Sequence, residues 1–338
     1  MSRKIRILLL ALVVMFVPAM LTVLVWPKGR TPSRPPLPTP NGYDDFLQAG
    51  ALVTGDASSA STRDSLRASL SANAEPLRLL RLGLTRQCLV PTDAALTNAA
   101  GMITQLADLK KLVQLLTAEG RLREMDDQLG DAAHSYTDAI RFGNEISRGG
   151  FLINRLVGIA AEALGCRALA KVVPKLSRED ARSVLVELQK VDAGRVTWTE
   201  VLQNEKYYAR YQLSSRMNPI MWVVGWVQFR LSIQAVRKAQ TKHNSIIAHE
   251  RLLAAELALR CYQLDQGRVP ARLDDLLVNY FSKLPQDPFT SQPLIYRPQG
   301  TNWLLYSVGE DGVDDGGKPV GRPASGTVTK GDILYDSP

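Results

Sequence analysis

The sequence has few cysteines and histidines, which are the usual ligands of zinc and common catalytic residues. Its three cysteines and three histidines are scattered, and the lack of any Cys-x-x-Cys pair argues against a zinc ribbon or a dithiol redox site. The pair His249-Glu250 has no second histidine four residues on, and no Gly-x-Ser-x-Gly motif occurs, which argues against zinc proteases and serine hydrolases. We expect Cys88, Cys166 and Cys261 to be buried free thiols in apolar helices.

One glycine-rich stretch fits a phosphate-binding loop in form only. Residues 312–318 match Gly-x-x-x-x-Gly-Lys. Pro319 replaces the serine or threonine that the motif requires, and Asp314 and Asp315 would face the phosphates with like charge. We therefore reject this interpretation. The acids Glu124, Asp126 and Asp127 are interpreted as part of a solvated helix face, not as an acid–base pair.

The net charge of +8 does not indicate nucleic-acid binding, because much of it lies at the amino terminus. The first 34 residues hold six of the 41 basic residues and none of the 33 acidic ones, so the rest has 35 basic and 33 acidic residues. A nearly neutral body lacks the basic surface that DNA or RNA binding requires. We expect no nucleic-acid partner.

Residues 5–26 form an apolar run whose only charge, Arg6, lies at its edge. As a helix, a run of this length covers the ~30 Å hydrocarbon core of a bilayer. Arg3 and Lys4 in front of it predict a cytoplasmic tip and a body on the extracytoplasmic side of the inner membrane. Trp26-Pro27 is a poor cleavage site, so residues 1–26 are interpreted as an uncleaved single-pass anchor. A cleaved signal and a buried helix of a soluble core are the alternatives.

A proline-rich linker and a helical region follow. Residues 27–42 contain six prolines and predict an extended spacer. Residues 43–245 repeat apolar positions at helical spacing with short connections, which predicts a repeat-like stack of helical hairpins. Ser177–Asp180 resembles a capping box that opens a helix after Pro174. Residues 130–136 resemble one helix of a tetratricopeptide repeat. Such a stack is typical of a scaffold or binding surface, and a plain bundle without a partner is the alternative.

The apolar stretch 219–231 is too short to cross a bilayer. Trp222 and Trp226 fall on one face of the helix that it predicts. We interpret this stretch as a buried core helix, and a helix lying in the membrane interface is the alternative.

The pattern changes in residues 246–338. A helix over 246–266 is predicted to end before Gly267, and a short helical segment follows Pro270. Two alternating runs, 294–297 and 303–307, predict antiparallel strands. The expected fold is mostly α with a C-terminal α+β module, in which a long helix packs on a small antiparallel sheet.

Several landmarks of residues 246–335 occur in the order of a known family. They are Tyr262, Asp265, Gly267, Pro270, Leu273, Leu284-Pro285, Asp287-Pro288-Phe289, Tyr296, Tyr306-Ser307, Gly309, Asp311-Gly312, Gly316-Gly317 and Asp332-Ile333. This series resembles the periplasmic domain of the major (G-type) pseudopilin of type II secretion systems. Residues 1–26 lack the Gly-Phe-type cleavage site and the membrane glutamate of that family. The whole chain resembles uncharacterised membrane-anchored bacterial proteins, which implies no activity.

The resemblance implies a calcium-binding loop after the second predicted strand. The Val308 carbonyl and the Asp311 carboxylate match family ligands. Asp314, Asp315 and Asp332 add carboxylates to the oxygen-rich set that calcium prefers, although their spacing is not that of an EF-hand. The alternative is a series of Asp-Gly turns that bind nothing.

Two hypotheses for function follow from the sequence. The first is a membrane-anchored, non-enzymatic protein that acts through protein–protein contacts in the envelope or in secretion. The second is an enzyme with a site in a groove of the helical region, for which the polar residues Asn144, Glu145, Arg155 and Glu205 are candidates.

Overall fold

The structure is a computed structural model that describes residues 36–92, 99–215, 219–319 and 331–336, with the backbone alone for some helical stretches such as 208–215 and 219–233. Leu37–Pro338 forms one compact unit. The anchor predicted for residues 1–26, and residues 27–35 of the predicted linker, lie outside the described residues. Within those residues, no helix combines the length and the apolar composition that a bilayer crossing requires.

The described chain is mostly helical, as the sequence predicts. The helices are α1 (Gly42–Leu52), α2 (Arg63–Ala72), α3 (Ala74–Thr85), α4 (Ala99–Met125), α5 (Leu129–Glu145), α6 (Leu152–Val172), α7 (Arg178–Ala193), α8 (Trp198–Ser215) and α9 (Pro219–Gln266). Two short 3-10 turns, Val173–Lys175 and Leu273–Leu276, follow α6 and α9. The second of these is the short helical segment expected after Pro270.

Local capping signals fix two helix ends where the sequence predicts them. The Ser177 side chain accepts a hydrogen bond from the Asp180 amide at 3.1 Å and caps the start of α7. The second is the end of α9. Gly267 follows this helix with φ at +65°, and its amide donates to the Gln263 carbonyl. Glycine adopts this left-handed backbone without the steric cost that a Cβ imposes.

Helix α9 begins earlier than the sequence analysis expected. We predicted a helix start and a domain boundary at residues 245 and 246, but α9 runs without interruption from Pro219 to Gln266. The physical reason is that no proline occurs after Pro219 in this stretch, so nothing stops the backbone hydrogen bonding. The side chains of Trp222 and Trp226 lie outside the described part, and the interpretation of 219–231 stays a prediction.

The carboxy-terminal residues form the predicted antiparallel sheet. Strands β1 (Ile295–Gln299) and β2 (Asn302–Ser307) pair as a hairpin, and β3 (Ile333–Leu334) adds to the other edge of β2. Strands β2 and β3 contact α9. The Trp303 indole N–H donates to the Glu256 carboxylate at 2.8 Å, which joins the sheet to this helix.

Two groups of buried apolar side chains form the core. One involves α1 to α4, and the other extends from α7 and α9 into the sheet. Helices α5 and α6 contribute to both, for example through Phe142 to the first and Ile140 to the second. The three cysteines are buried and free, as predicted, but only Cys166 and Cys261 lie in helices, because α3 ends at Thr85 before Cys88.

Candidate functional site

Two of the predicted calcium ligands lie at the start of the terminal loop with protein partners. In Val308, which is buried, the group with a protein partner is the amide, not the carbonyl predicted as a ligand, and it donates to Asp287 Oδ2 at 2.9 Å. Asp311 Oδ1 accepts from the Val313 amide at 3.2 Å. A carboxylate that bonds the amide two residues on forms an Asx turn, which stabilises the loop by itself.

Asp314 is held by three protein donors. Its Oδ1 accepts from the Tyr306 hydroxyl at 2.7 Å and from the Gly316 amide at 2.9 Å, and its Oδ2 pairs with Arg297 at 2.7 Å. The hydrogen bond from Tyr306 is the main reason that the pKa of Asp314 lies below its ordinary value, and Arg297 adds to the effect. A guanidinium therefore occupies the side of the carboxylate that a cation would need.

Asp332 closes the loop from the opposite side. Its buried carboxylate accepts from the Gly317 amide at 2.6 Å and from the Asp315 amide at 3.4 Å. Burial raises the pKa of Asp332 despite these two bonds. Asp315 thus contributes its backbone amide to this contact.

Asp332 contacts the loop that contains the other predicted ligands, but the carboxylates of Asp311, Asp314 and Asp332 have separate partners. In the part of the chain that the structure describes, no group of three or more His, Cys, Asp or Glu side chains converges as a metal site would. The contacts of Asp311, Asp314 and Asp332 fit turns that protein donors hold. At Asp314 a calcium ion would compete with the Arg297 guanidinium for the carboxylate, and calcium binding by this loop stays a prediction.

A second polar cluster lies inside the helical region, centred on a fully buried ion pair. Arg155 donates from its two Nη atoms to both carboxylate oxygens of Glu162, at 2.6 and 2.9 Å, and neither side chain is exposed. Arg155 Nε donates to His243 Nδ1 at 2.9 Å. Burial is the main cause that lowers the pKa of His243 to about 3, and Arg155 and Arg195 lower it further. His243 is therefore neutral and serves as an acceptor.

A further set of ion pairs continues from this cluster towards the surface. Arg195 pairs with the buried carboxylate of Glu250 and, at 3.2 Å, with Asp192. Arg251 also contacts Asp192 at 3.2 Å and donates to the Gln286 carbonyl at 2.8 Å. Burial raises the pKa of Glu250, while Arg195 acts in the opposite direction. Glu250 Oε1 and Arg195 Nη1 are both buried, and neither has a hydrogen-bond partner among the described residues.

Glu250 and Arg251 line a cleft of about 480 Å³ between α7, α9 and residues 281–286. Clefts of roughly 300–1,000 Å³ are typical of small-molecule sites. The cleft contains buried apolar side chains from all three segments together with charged ones. Leu188, Ala254 and Phe281 are buried apolar residues of its lining. Lys190 and Lys283 also line it and are exposed.

The four polar candidates of the enzyme hypothesis do not meet in this cleft. Asn144 accepts from the Val196 amide at 3.0 Å and donates to the Gly194 carbonyl, which anchors the connection after α7. Glu145 pairs with Arg148, and Glu205 accepts from the Leu152 amide at 3.0 Å. Arg155 alone belongs to the buried ion cluster, and none of the four lines the cleft.

Sequence reasoning did not identify Arg195, Glu250 or the cleft. Arg195 and Glu250 are separated by 55 positions, so no local pattern joins them. The sequence does contain a signal for the neighbouring buried ion pair. Arg155 and Glu162 are seven residues apart in a very apolar helix, and that spacing places two charges on one face.

Comparison with known proteins adds no assignment: no family model, no curated protein and no solved structure matches this chain. The resemblance of residues 246–335 to pseudopilins therefore stays a prediction. The functional argument depends on the contacts described above.

Proposed function

We propose that the protein is a single-pass inner-membrane protein whose body lies on the extracytoplasmic side and acts through protein–protein contacts, without catalysis. The apolar run 5–26 and its basic tip support the anchoring. The contacts of the landmark residues in 246–335 support the pseudopilin-like character of the carboxy-terminal module, and with it a role in the envelope or in secretion.

The observation that carries the proposal is that landmark residues connect the end of α9, the segments that follow it and the sheet edge to one another. The Tyr280 hydroxyl donates to Asp265 at 2.6 Å, and the Tyr296 hydroxyl donates to the Pro270 carbonyl at 2.7 Å. Asp287 accepts from the Val308 and Phe289 amides, both at 2.9 Å. A long helix packed on a small antiparallel sheet is the arrangement that the resemblance implies.

Protease accessibility tests the anchoring and its orientation. Protease added to spheroplasts that produce the full chain should degrade the body, and protease added to intact cells should leave it whole. A cytoplasmic protein of the same cells is the control for lysis. A body that stays intact in spheroplasts, or a mature chain that begins after Trp26, would contradict the proposal.

Protein contacts are tested by crosslinking in living cells. A photoreactive residue at the exposed position Val278, which is 94% exposed, should give an adduct with another protein, and one at the buried position Leu252 should not. An absence of adducts from several exposed positions of the body would count against a role through contacts.

Calcium binding by the terminal loop is a prediction that calorimetry tests directly. Titration of the full chain with calcium should release heat, and Asp311→Ala should weaken binding because it removes the family-type carboxylate. Asp56→Ala is a suitable control, since Asp56 lies far along the chain in an exposed turn with Ser58. If the unmodified chain shows no binding heat, the calcium prediction is wrong.

The enzyme hypothesis stays the alternative. The feature that favours it is Glu250, a buried carboxylate with a raised pKa on the wall of a cleft. Asp192 and Ser282 also line this cleft, and the Asp192 carboxylate is engaged by Arg195 and Arg251. A loss of a measured turnover in Glu250→Gln would favour the enzyme over the scaffold.

A further inference from the structure

Helix α9 is buried in the core only from Ala239 onwards. Ala239 is 3% exposed, and His243 on the next turn is held by its hydrogen bond from Arg155 at 2.9 Å. The preceding residues 234–238 include no buried side chain, because Val236 is half-buried and the other four are exposed. Five consecutive residues cover all sides of a helix, since one turn takes 3.6 residues. At this level the body therefore leaves α9 largely uncovered on every side.

The same helix includes the apolar stretch 219–231. Pro219–Gln266 is one uninterrupted helix, and within 219–231 all residues except Gln228 and Arg230 are apolar. Apolar residues thus occur on every face of this part of α9, whereas a surface helix of a globular protein is apolar on one face. A helix that is apolar on all sides requires surroundings that enclose it, and a groove that covers one face is not enough.

The charges around this stretch have one sign. No acidic residue occurs between Glu205 and Glu250, while the same interval contains seven basic residues, namely Lys206, Arg210, Arg216, Arg230, Arg237, Lys238 and Lys242. The rest of the chain after residue 34 has the opposite balance, with 28 basic and 33 acidic residues. Because the interval contains no acid, ion pairs along its helices cannot neutralise these side chains. Residues 206–249 therefore favour a partner of negative charge.

The length of the apolar stretch suits one leaflet of a bilayer. Its thirteen residues cover about 20 Å as a helix, which exceeds the roughly 15 Å apolar depth of one leaflet but not the ~30 Å of both. Arg237 follows Leu231 by about 9 Å along the helix axis, and the headgroup layer is roughly 5–8 Å thick. Long basic side chains extend over such a distance. Exposed Arg237 and Lys238 can therefore reach lipid phosphates.

From these observations we propose that residues 219–231 form a second membrane contact, which inserts into one leaflet of a bilayer that contains anionic lipids. The apolar residues lie among the acyl chains, and the flanking basic residues pair with lipid phosphates. Trp222 and Trp226 suit this environment, because tryptophan is enriched at membrane interfaces. The contact is separate from the anchor proposed for residues 5–26 and from the terminal loop, and it favours the interface helix over the core helix for this stretch.

Other partners match only some of these features. A second copy of the chain would bring the same seven basic residues, and like charges repel each other. A nucleic acid would match the charge but would not cover the apolar stretch. An acidic groove on another protein would cover one face of the helix. An anionic bilayer is the partner that both encloses an apolar helix and attracts basic flanks.

Fluorescence quenching by lipids tests the insertion. The full chain is reconstituted into vesicles of phosphatidylcholine and phosphatidylglycerol, with a fluorophore on Phe229→Cys, and the three native cysteines are buried. Lipids brominated in their acyl chains should quench this fluorophore severalfold more than one on Ser71→Cys, at an exposed position of α2. The unsubstituted chain treated with the same reagent gives the background. The comparison does not depend on the anchoring, because both labelled chains have the same amino terminus.

The double variant Arg237→Gln/Lys238→Gln tests the role of charge. Each basic residue near an anionic surface contributes roughly fivefold in affinity, so the loss of two should shift the equilibrium between inserted and free helix by about tenfold or more. Lys171→Gln/Lys175→Gln removes the same charge at two exposed lysines outside the segment and is the matched control. Vesicles of phosphatidylcholine alone, or high salt, should weaken the quenching in the same way.

Thermal unfolding separates membrane insertion from burial in the core. Trp226→Ala should weaken the quenching severalfold because apolar area is lost, but it should leave the unfolding of the body almost unchanged. Leu252→Ala, at a fully buried position of the same helix, should lower the melting temperature clearly. Circular dichroism in mild detergent measures both variants against the parent.

Three results would overturn the proposal. The first is quenching at Phe229→Cys no stronger than at Ser71→Cys. The second is equal quenching with and without phosphatidylglycerol together with no effect of the Arg237/Lys238 double variant, which would show that anionic lipids are not the partner. The third is a loss of stability in Trp226→Ala as large as in Leu252→Ala, which is expected if the stretch is a core helix.

Discussion

The Arg155–Glu162 pair is the residue-scale feature with the largest expected effect on stability. Both side chains are completely buried and joined by two hydrogen bonds. We expect Glu162→Gln to lower the free energy of unfolding by about 3–5 kcal/mol, because it leaves the Arg155 charge buried without its counterion. Urea unfolding followed by circular dichroism measures this change.

A surface pair of the same chemistry provides the control for this prediction. Glu75 and Arg78 form a hydrogen-bonded pair in which both side chains are more than half exposed. Glu75→Gln should leave the unfolding midpoint almost unchanged, since water solvates Arg78. Equal effects of the two substitutions would show that burial of the ion pair is not the cause.

Glu256 is a second buried acid, and it should make stability depend on pH. Burial is the main cause that raises its pKa to about 7, and Asp336 acts in the same direction. The hydrogen bond from Trp303 and the charge of Arg260 lower the pKa, but they do not outweigh burial. The folded state therefore binds more protons than the unfolded state between about pH 4.5 and 7. The contribution of Glu256 to stability is largest below this window and is lost as the pH rises through it.

Glu256→Gln should remove this part of the pH dependence, because glutamine has no charge to desolvate and still accepts from the Trp303 N–H. At pH 8 the variant should be more stable than the parent by on the order of 1–3 kcal/mol, and at pH 5 the two should be similar. Unfolding curves at both pH values measure the difference. A constant difference between the two proteins at both values would refute a role for Glu256 titration.

The residues that sequence analysis identified correctly are those with local signals. The Ser177 cap and Gly267 at the end of α9 need only their own neighbours in sequence, and both are where they were predicted. Glu250 was missed because Arg195, its partner, is remote along the chain, and only the packing of α7 against α9 brings them together. An ion pair between residues far apart in the sequence produces no residue spacing that sequence analysis could recognise.

At the scale of elements, the contact of α5 with α6 depends on glycine. A methyl group at Gly143 would lie 2.5 Å from the Gly158 carbonyl oxygen and 2.7 Å from Glu162 Cγ. We expect Gly143→Ala to separate the two helices and to cost about 1–3 kcal/mol of stability through overpacking. It should also disturb the Arg155–Glu162 pair of α6, because the added methyl group would press on Glu162.

Gly194→Ala is the control for this prediction. A methyl group there would have its nearest neighbour, the Lys190 carbonyl oxygen, at 3.4 Å, so the added methyl group should be accommodated. Thermal unfolding of both variants measures the contrast. If Gly143→Ala melts with the parent, the close approach of α5 and α6 is not required for stability.

Helix α9 shows which helix ends can be predicted from the sequence. Its end was predictable from Gly267, while its start was placed near residue 246, although the helix begins at Pro219. The backbone stays helical across residue 245, so the change of composition there does not mark the start of a helix. Buried positions such as Ala248 and Leu252 lie within one uninterrupted helix.

At the scale of the whole molecule, helices from the two predicted regions share one core. Buried side chains of α7 such as Val184 and Leu185 belong to the same group as Leu252 of α9 and Leu305 of β2. Helices α5 and α6 connect this group to the core around α1 to α4. The predicted division at residues 245 and 246 therefore runs through a shared apolar interior.

This sharing predicts how truncated chains behave. Residues 37–338 should unfold in a single cooperative transition, since α5 and α6 contribute to both groups of core residues. Residues 246–338 alone should not fold stably, because the α9 side chains that face α7 would be exposed to water, at about 25 cal/mol per Å² of apolar surface. Thermal unfolding of the two chains by circular dichroism makes the comparison. A cooperative melt of residues 246–338 would instead establish them as an independent domain, as the resemblance to pseudopilins implies.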